Sequence, residues 1–128
     1  MHTRIRVIYI ENTICLHLPF TMRKIDLITH HSEVSEKAIE RYLVDEVKEL
    51  GGICLKYTNP GSVGFPDRIC LLPGGITIWI ELKSKGEQLR QVQKIRISKL
   101  LRLGHIVHVC DSKEAIDRVL QLYKPTSK

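Results

Sequence analysis

From Ser32 onward the spacing of apolar residues sorts the chain into helical and extended stretches. In SEVSEKAIERYLVDEVKELGG, Ile39, Leu43, Val47 and Leu50 recur three or four residues apart, the interval that lines one side of a helix. Serines stand where N-caps belong, Glu falls in the first turn, and Gly51 and Gly52 end the run. ICLKYT (53–58) then reads as a strand, NPGSVGFP as a Gly and Pro loop, DRICLL as a second strand, and ITIWIELK as a third after a turn at Pro73, Gly74 and Gly75. SKGEQ leads into the basic helical stretch LRQVQKIRISKLLRL, closed by Gly104; HIVHVC is a short apolar strand and DSKEAIDRVLQLY a capped final helix.

The predicted order is α-β-β-β-α-β-α, an α/β class. Short links between the first three strands demand antiparallel pairing, whereas the helix before the fourth permits a parallel crossover. The expected architecture is a mixed central sheet flanked by helices. Residues 32–124 form its domain, 125–128 a tail, and 1–31, which lack this periodicity, an N-terminal arm or a stretch ahead of a true start at Met22.

Five polar residues break the pattern. Along the third strand Ile76, Ile78, Ile80 and Leu82 face one side, leaving Thr77, Trp79, Glu81 and Lys83 on the other. A hairpin through the PGG turn brings Asp67, at the start of the preceding strand, beside them. The plain alternative is an ion pair at a sheet end, worth little if solvated. Gln93 interrupts the inward face of the basic helix, where an amide needs a partner. Glu36 projects from the apolar stripe of the first helix with Glu40 close by, although its place in the first turn, where the helix dipole favours an acid, offers a simpler account.

Composition narrows the partners. Twenty Lys and Arg against fourteen Asp and Glu give 128 residues a net charge of +6, which favours a polyanion such as nucleic acid. No apolar run approaches the roughly 18–20 residues of a membrane span, and no signal-peptide cleavage pattern follows the N-terminal segment. Cys15, Cys54, Cys70 and Cys110 are far apart, which argues against zinc and a disulfide framework and for a reducing cytoplasm. Aromatic content of 5% disfavours a base-stacking platform. Carboxylates are hard ligands suited to Mg²⁺ or Mn²⁺, and Asp67 with Glu81 fits that role. Lys83 could orient and help deprotonate an attacking water or stabilise the phosphorane; the sequence leaves both open.

The run of Glu36, Gly51-Gly52, Gly64-Phe65-Pro66-Asp67-Arg68, LLPGG, Glu81-Leu82-Lys83, Gln93 and Gly104 resembles the virus-type replication-repair nuclease (VRR-NUC) domain of the PD-(D/E)xK superfamily, over roughly Ser35 to Leu120. The resemblance implies a restriction-endonuclease-like core and a stand-alone, phage-like enzyme. It further implies that Asp67, Glu81 and Glu36 bind Mg²⁺ or Mn²⁺, that Lys83 is the catalytic lysine and that Gln93 completes the site. Such domains are similar to Holliday junction resolvases and are expected to cut branched DNA as homodimers. Arg68, Lys85, Arg90, Lys94 and Arg96 are candidate phosphate contacts. The alternatives are a restriction-type or exonucleolytic enzyme, and a non-catalytic DNA-binding module on the same fold.

Overall fold

A computed structural model describes residues 35–126. The expected arm over 1–31, the alternative start at Met22 and Cys15 lie outside the described residues. Helix α1 spans Glu36–Glu49, followed by strands β1 (Ile53–Lys56), β2 (Arg68–Leu72) and β3 (Ile76–Leu82), helix α2 (Gln91–Arg102), strand β4 (Ile106–Cys110) and helix α3 (Lys113–Gln121). The predicted element order is the observed one.

Local chemistry sets the helix ends. The Ser35 hydroxyl accepts the Ala38 amide at 3.3 Å and Ser112 accepts that of Ala115 at 3.1 Å, so each serine satisfies a first-turn N–H. At the end of α1 the amides of Gly51 and Gly52 close back onto the carbonyls of Lys48 and Val47, both at 2.9 Å. The sheet runs β1-β2-β3-β4, with β1 and β3 antiparallel to β2, and β4 parallel to β3. The first strand is shorter than its sequence suggests, ending at Lys56, yet the Tyr57 amide still reaches the Asp67 carbonyl at 2.7 Å.

The two faces of the sheet differ. Helices α1 and α3 cover one face with a core that includes Ile39, Leu43, Ile78, Ile80, Ile116 and Leu120. Cys70 and Cys110 pack into the same core, and Cys54 faces Cys70 across the β1–β2 pair with the free thiol sulfurs 3.6 Å apart. Helix α2 covers the other face only over β3 and β4, packing Ile97 and Leu100 near Val107, Trp79 and Phe65. On the β1–β2 half of that face Ile53, Leu55 and Leu71 are left exposed. Among the described residues no helix is long and apolar enough to cross a membrane.

The passage from α1 into β1 leaves no room at Gly52: a Cβ there would lie 2.6 Å from the Leu71 carbonyl oxygen and 3.0 Å from a Val47 methyl. Gly52→Ala is therefore expected to cost about 1–3 kcal/mol, read as a lower urea midpoint with an unchanged slope.

Candidate active site

The end of β3 carries a carboxylate into the interior. Glu81 is only 1% exposed and both of its oxygens are engaged. Oε1 accepts a hydrogen bond from the Gln93 side-chain amide and lies 3.4 Å from the Lys83 ammonium; Oε2 accepts the Asp67 backbone N–H at 3.1 Å. Burial pushes the Glu81 carboxyl up to about 7, the negative charge of Asp67 pushes the same way, and Lys83 works against both. The half-buried Asp67 thus stands close enough to be felt electrostatically while its amide braces the carboxylate it repels.

Three elements fix this arrangement. Gln93, in the first turn of α2, is held at both ends of its amide, since its carbonyl oxygen accepts the Arg90 backbone N–H at 2.9 Å. Lys83, 6% exposed, lies between Glu81 and Glu87, 3.4 Å from each. Glu87 is returned to Lys83 by the turn at 84–87, in which the Ser84 amide donates to Oε2 at 3.3 Å; that amide and Lys83 hold the Glu87 carboxyl below its ordinary range. The loop ahead of Asp67 is locked against α2 at Gly64, whose φ of +94° favours glycine and whose Cβ, if present, would meet the Val92 carbonyl oxygen at 2.9 Å. Beside it Tyr57, Phe65 and Trp79 form a cluster of tilted and edge-on rings, while Arg96 lies over Phe65 at 5.4 Å and donates to the Val63 carbonyl at 3.1 Å.

Asp67, Glu81, Lys83 and Gln93 are therefore brought together. Glu36 is not on the buried stripe of α1: Ile39, Leu43 and Val47 are, and Glu36 is the exposed first residue of the helix, as the dipole account allows. The first-helix acid tied to the sheet is Glu40, one turn later, which pairs with Arg68. Arg68, expected on DNA, is instead buried on the α1 side of the sheet. Lys85, Arg90 and Lys94 are exposed, and Arg96 is partly committed to Phe65 and Val63. Glu87 and the Glu40–Arg68 pair went unassigned in the sequence, although four-residue spacings, Lys83 to Glu87 and Glu36 to Glu40, are the signals that could have marked them.

As for metal-ligating groups, no cluster of three or more His, Cys, Asp or Glu side chains occurs among the described residues. Two hard oxygen donors, Asp67 and Glu81, remain. Their mutual repulsion in a dry site is what a small divalent cation would relieve, so the donor set suits Mg²⁺ or Mn²⁺ with the rest of the shell supplied by waters and a substrate phosphate.

No family model matches the chain. A solved structure described as "VRR_NUC domain" superposes with a TM-score of 0.65 at 25% identity, covering 69% of this chain and 96% of that one. A protein of Acyrthosiphon pisum secondary endosymbiont phage 1, named "Putative nuclease p44", is 42% identical over 81 residues, 63% of this chain and 87% of the relative. The chain belongs to the VRR-NUC family.

The raised carboxyl of Glu81 makes metal-free stability depend on pH. Between its ordinary 4.5 and about 7 the folded protein binds a proton that the unfolded chain has lost, so stability falls as pH rises through that window. Urea unfolding of EDTA-treated protein is expected to give a lower midpoint at pH 7 than at pH 5, and Glu81→Gln is expected to flatten that trend.

Proposed function

We propose that the protein is a PD-(D/E)xK deoxyribonuclease that uses Mg²⁺ or Mn²⁺ to hydrolyse phosphodiester bonds in branched DNA, such as a four-way junction, acting as a homodimer in the cytoplasm of a bacterial host. The observation that carries this reading is the buried Glu81 carboxylate, set beside Asp67 with the Lys83 ammonium 3.4 Å away. Two acids and a lysine at one sheet end, walled by a helix, match the needs of phosphoryl chemistry better than those of a structural ion pair. A structural pair would not require a second carboxylate that repels the first.

In this reading Asp67 and Glu81 hold the cation, and Glu36, exposed at the head of α1, is the further ligand that the family resemblance implies. When bound, the cation offsets charge developing on the phosphate and lowers the pKa of a nearby water. Gln93 keeps the Glu81 carboxylate in one orientation by donating to Oε1. Lys83, steadied between Glu81 and Glu87, presents a fixed positive charge to the reacting phosphate and its attacking water. Lys85 and Arg90 flank that position in sequence, and with Lys94 they are exposed, as contacts to the DNA backbone must be.

Symmetric cutting of a junction requires two such sites, hence two copies. The apolar half-face bearing Ile53, Leu55 and Leu71, beside the edge of β1 that is unpaired among the described residues, supports a second copy as its cover. Light scattering is expected to give the mass of two chains, and Leu55→Glu the mass of one; a monomeric wild type that still cuts junctions symmetrically would refute the dimer.

The enzymatic test is cleavage of a labelled four-way junction and a matching linear duplex with Mg²⁺, Mn²⁺ or EDTA. Asp67→Ala and Lys83→Ala are each expected to lower the rate by about a hundredfold or more, the scale of losing a group that stabilises transition-state charge, with circular dichroism unchanged. Cutting of the junction alone supports selectivity, and equal cutting of both substrates removes it. Full activity in Asp67→Ala would overturn the site, and a folded wild type that binds DNA without cutting would reassign the protein as a binding module.

A further inference from the structure

Residues 67 and 68 are held from both faces of the sheet at once. On the α2 face the Asp67 amide donates to Glu81 at 3.1 Å, and within the sheet the Asp67 carbonyl accepts the Tyr57 amide at 2.7 Å, continuing the β1–β2 ladder. On the opposite face Arg68, 7% exposed, sends its guanidinium to the Glu40 carboxylate on α1. Consecutive residues of an extended chain point to opposite sides, so a backbone rotation that moved Arg68 would swing Asp67 with it.

Stability alone does not explain this choice of residues. The Arg68 side chain is buried and that of Glu40 is 36% exposed, so the pair is partly withdrawn from water, and apolar side chains of similar volume commonly match a pair whose buried member must first lose its water. What an ion pair adds is a defined geometry: the planar guanidinium donates to a carboxylate along few directions. Glu40 thereby fixes the start of β2 relative to α1, and Glu36 stands one turn before Glu40 on the same helix.

We infer that Arg68, held by Glu40, is a positioning residue that sets the Asp67 carboxylate for the divalent cation, and is not a DNA contact. This rests on the metal-dependent nuclease reading above, and its test separates the two. Wild type, Arg68→Met and the double variant Glu40→Met/Arg68→Met, all stripped with EDTA, are compared by thermal unfolding and by Mn²⁺ binding followed through the electron paramagnetic resonance of the free ion. The single variant, which leaves Glu40 without its partner, is expected to melt below wild type. The double variant is expected to recover the wild-type melting temperature while binding Mn²⁺ at least tenfold more weakly.

A double variant that binds Mn²⁺ as tightly as wild type overturns the positioning role and leaves the nuclease reading intact. A wild type that binds no Mn²⁺ overturns both. If the double variant does not fold, Arg68→Lys decides the matter, since it keeps the charge but loses the planar fork: tenfold weaker Mn²⁺ binding by the folded protein supports the inference, and wild-type binding overturns it.

Discussion

Burying the Glu81 carboxylate is the constraint on which the site end of this molecule depends. An acid withdrawn from water is costly unless its oxygens are met by donors. Here the donors come from three places: the backbone before β2, the first turn of α2, and a lysine two residues further along. Each must be in register for the others to matter. A shift of α2 by one residue would carry Gln93 about 100° around the helix axis, and a slip of β2 against β3 would remove the Asp67 amide. The hairpin, the crossover and the helix start are thus tied to one another through a single side chain, and the charge of Asp67 keeps that arrangement from being electrostatically relaxed.

The sheet divides its labour between its faces. The side under α1 and α3 is largely apolar and carries most of the core. The other side has a smaller core around Ile97, Leu100 and Val107, and α2 builds it while also delivering Gln93. One helix therefore stabilises that face and completes the site, which explains why its inward positions mix aliphatic residues with a buried amide. Among the described residues Arg68 and His108 are the buried polar side chains on the apolar side, and Arg68 is a charge placed at the edge of the core where it can reach α1.

Most of this was legible because the informative residues violate short-range patterns. Glu81 and Lys83 interrupt a strand of β-branched residues at spacing two, and Gln93 interrupts a helical stripe, so each announces its direction without knowledge of the fold. Glu36 misled because a stripe read at three and four residue intervals extends past the point where the helix meets the sheet: the packing begins at Ile39, and the first turn overhangs. Arg68 has the sequence signature of a surface cation because nothing local reveals that α1 crosses above it. Glu40, Arg68 and the facing Cys54 and Cys70 thiols are products of tertiary approach, and that information lies in the packing of whole elements.

The contact between Gly64 and Val92 has a bearing on how this chain can vary. Because there is no room for a side chain between Gly64 and the Val92 carbonyl of α2, the distance along the chain from Gly64 to Asp67 is a fixed ruler between helix and carboxylate. The stretch before it, 58–61, is exposed throughout and hangs outside that measured interval. Insertions and deletions among related chains should therefore collect upstream of Gly64, where extra residues lengthen a surface excursion, and be absent from the three steps that follow, where one added residue would rotate the acid out of the site.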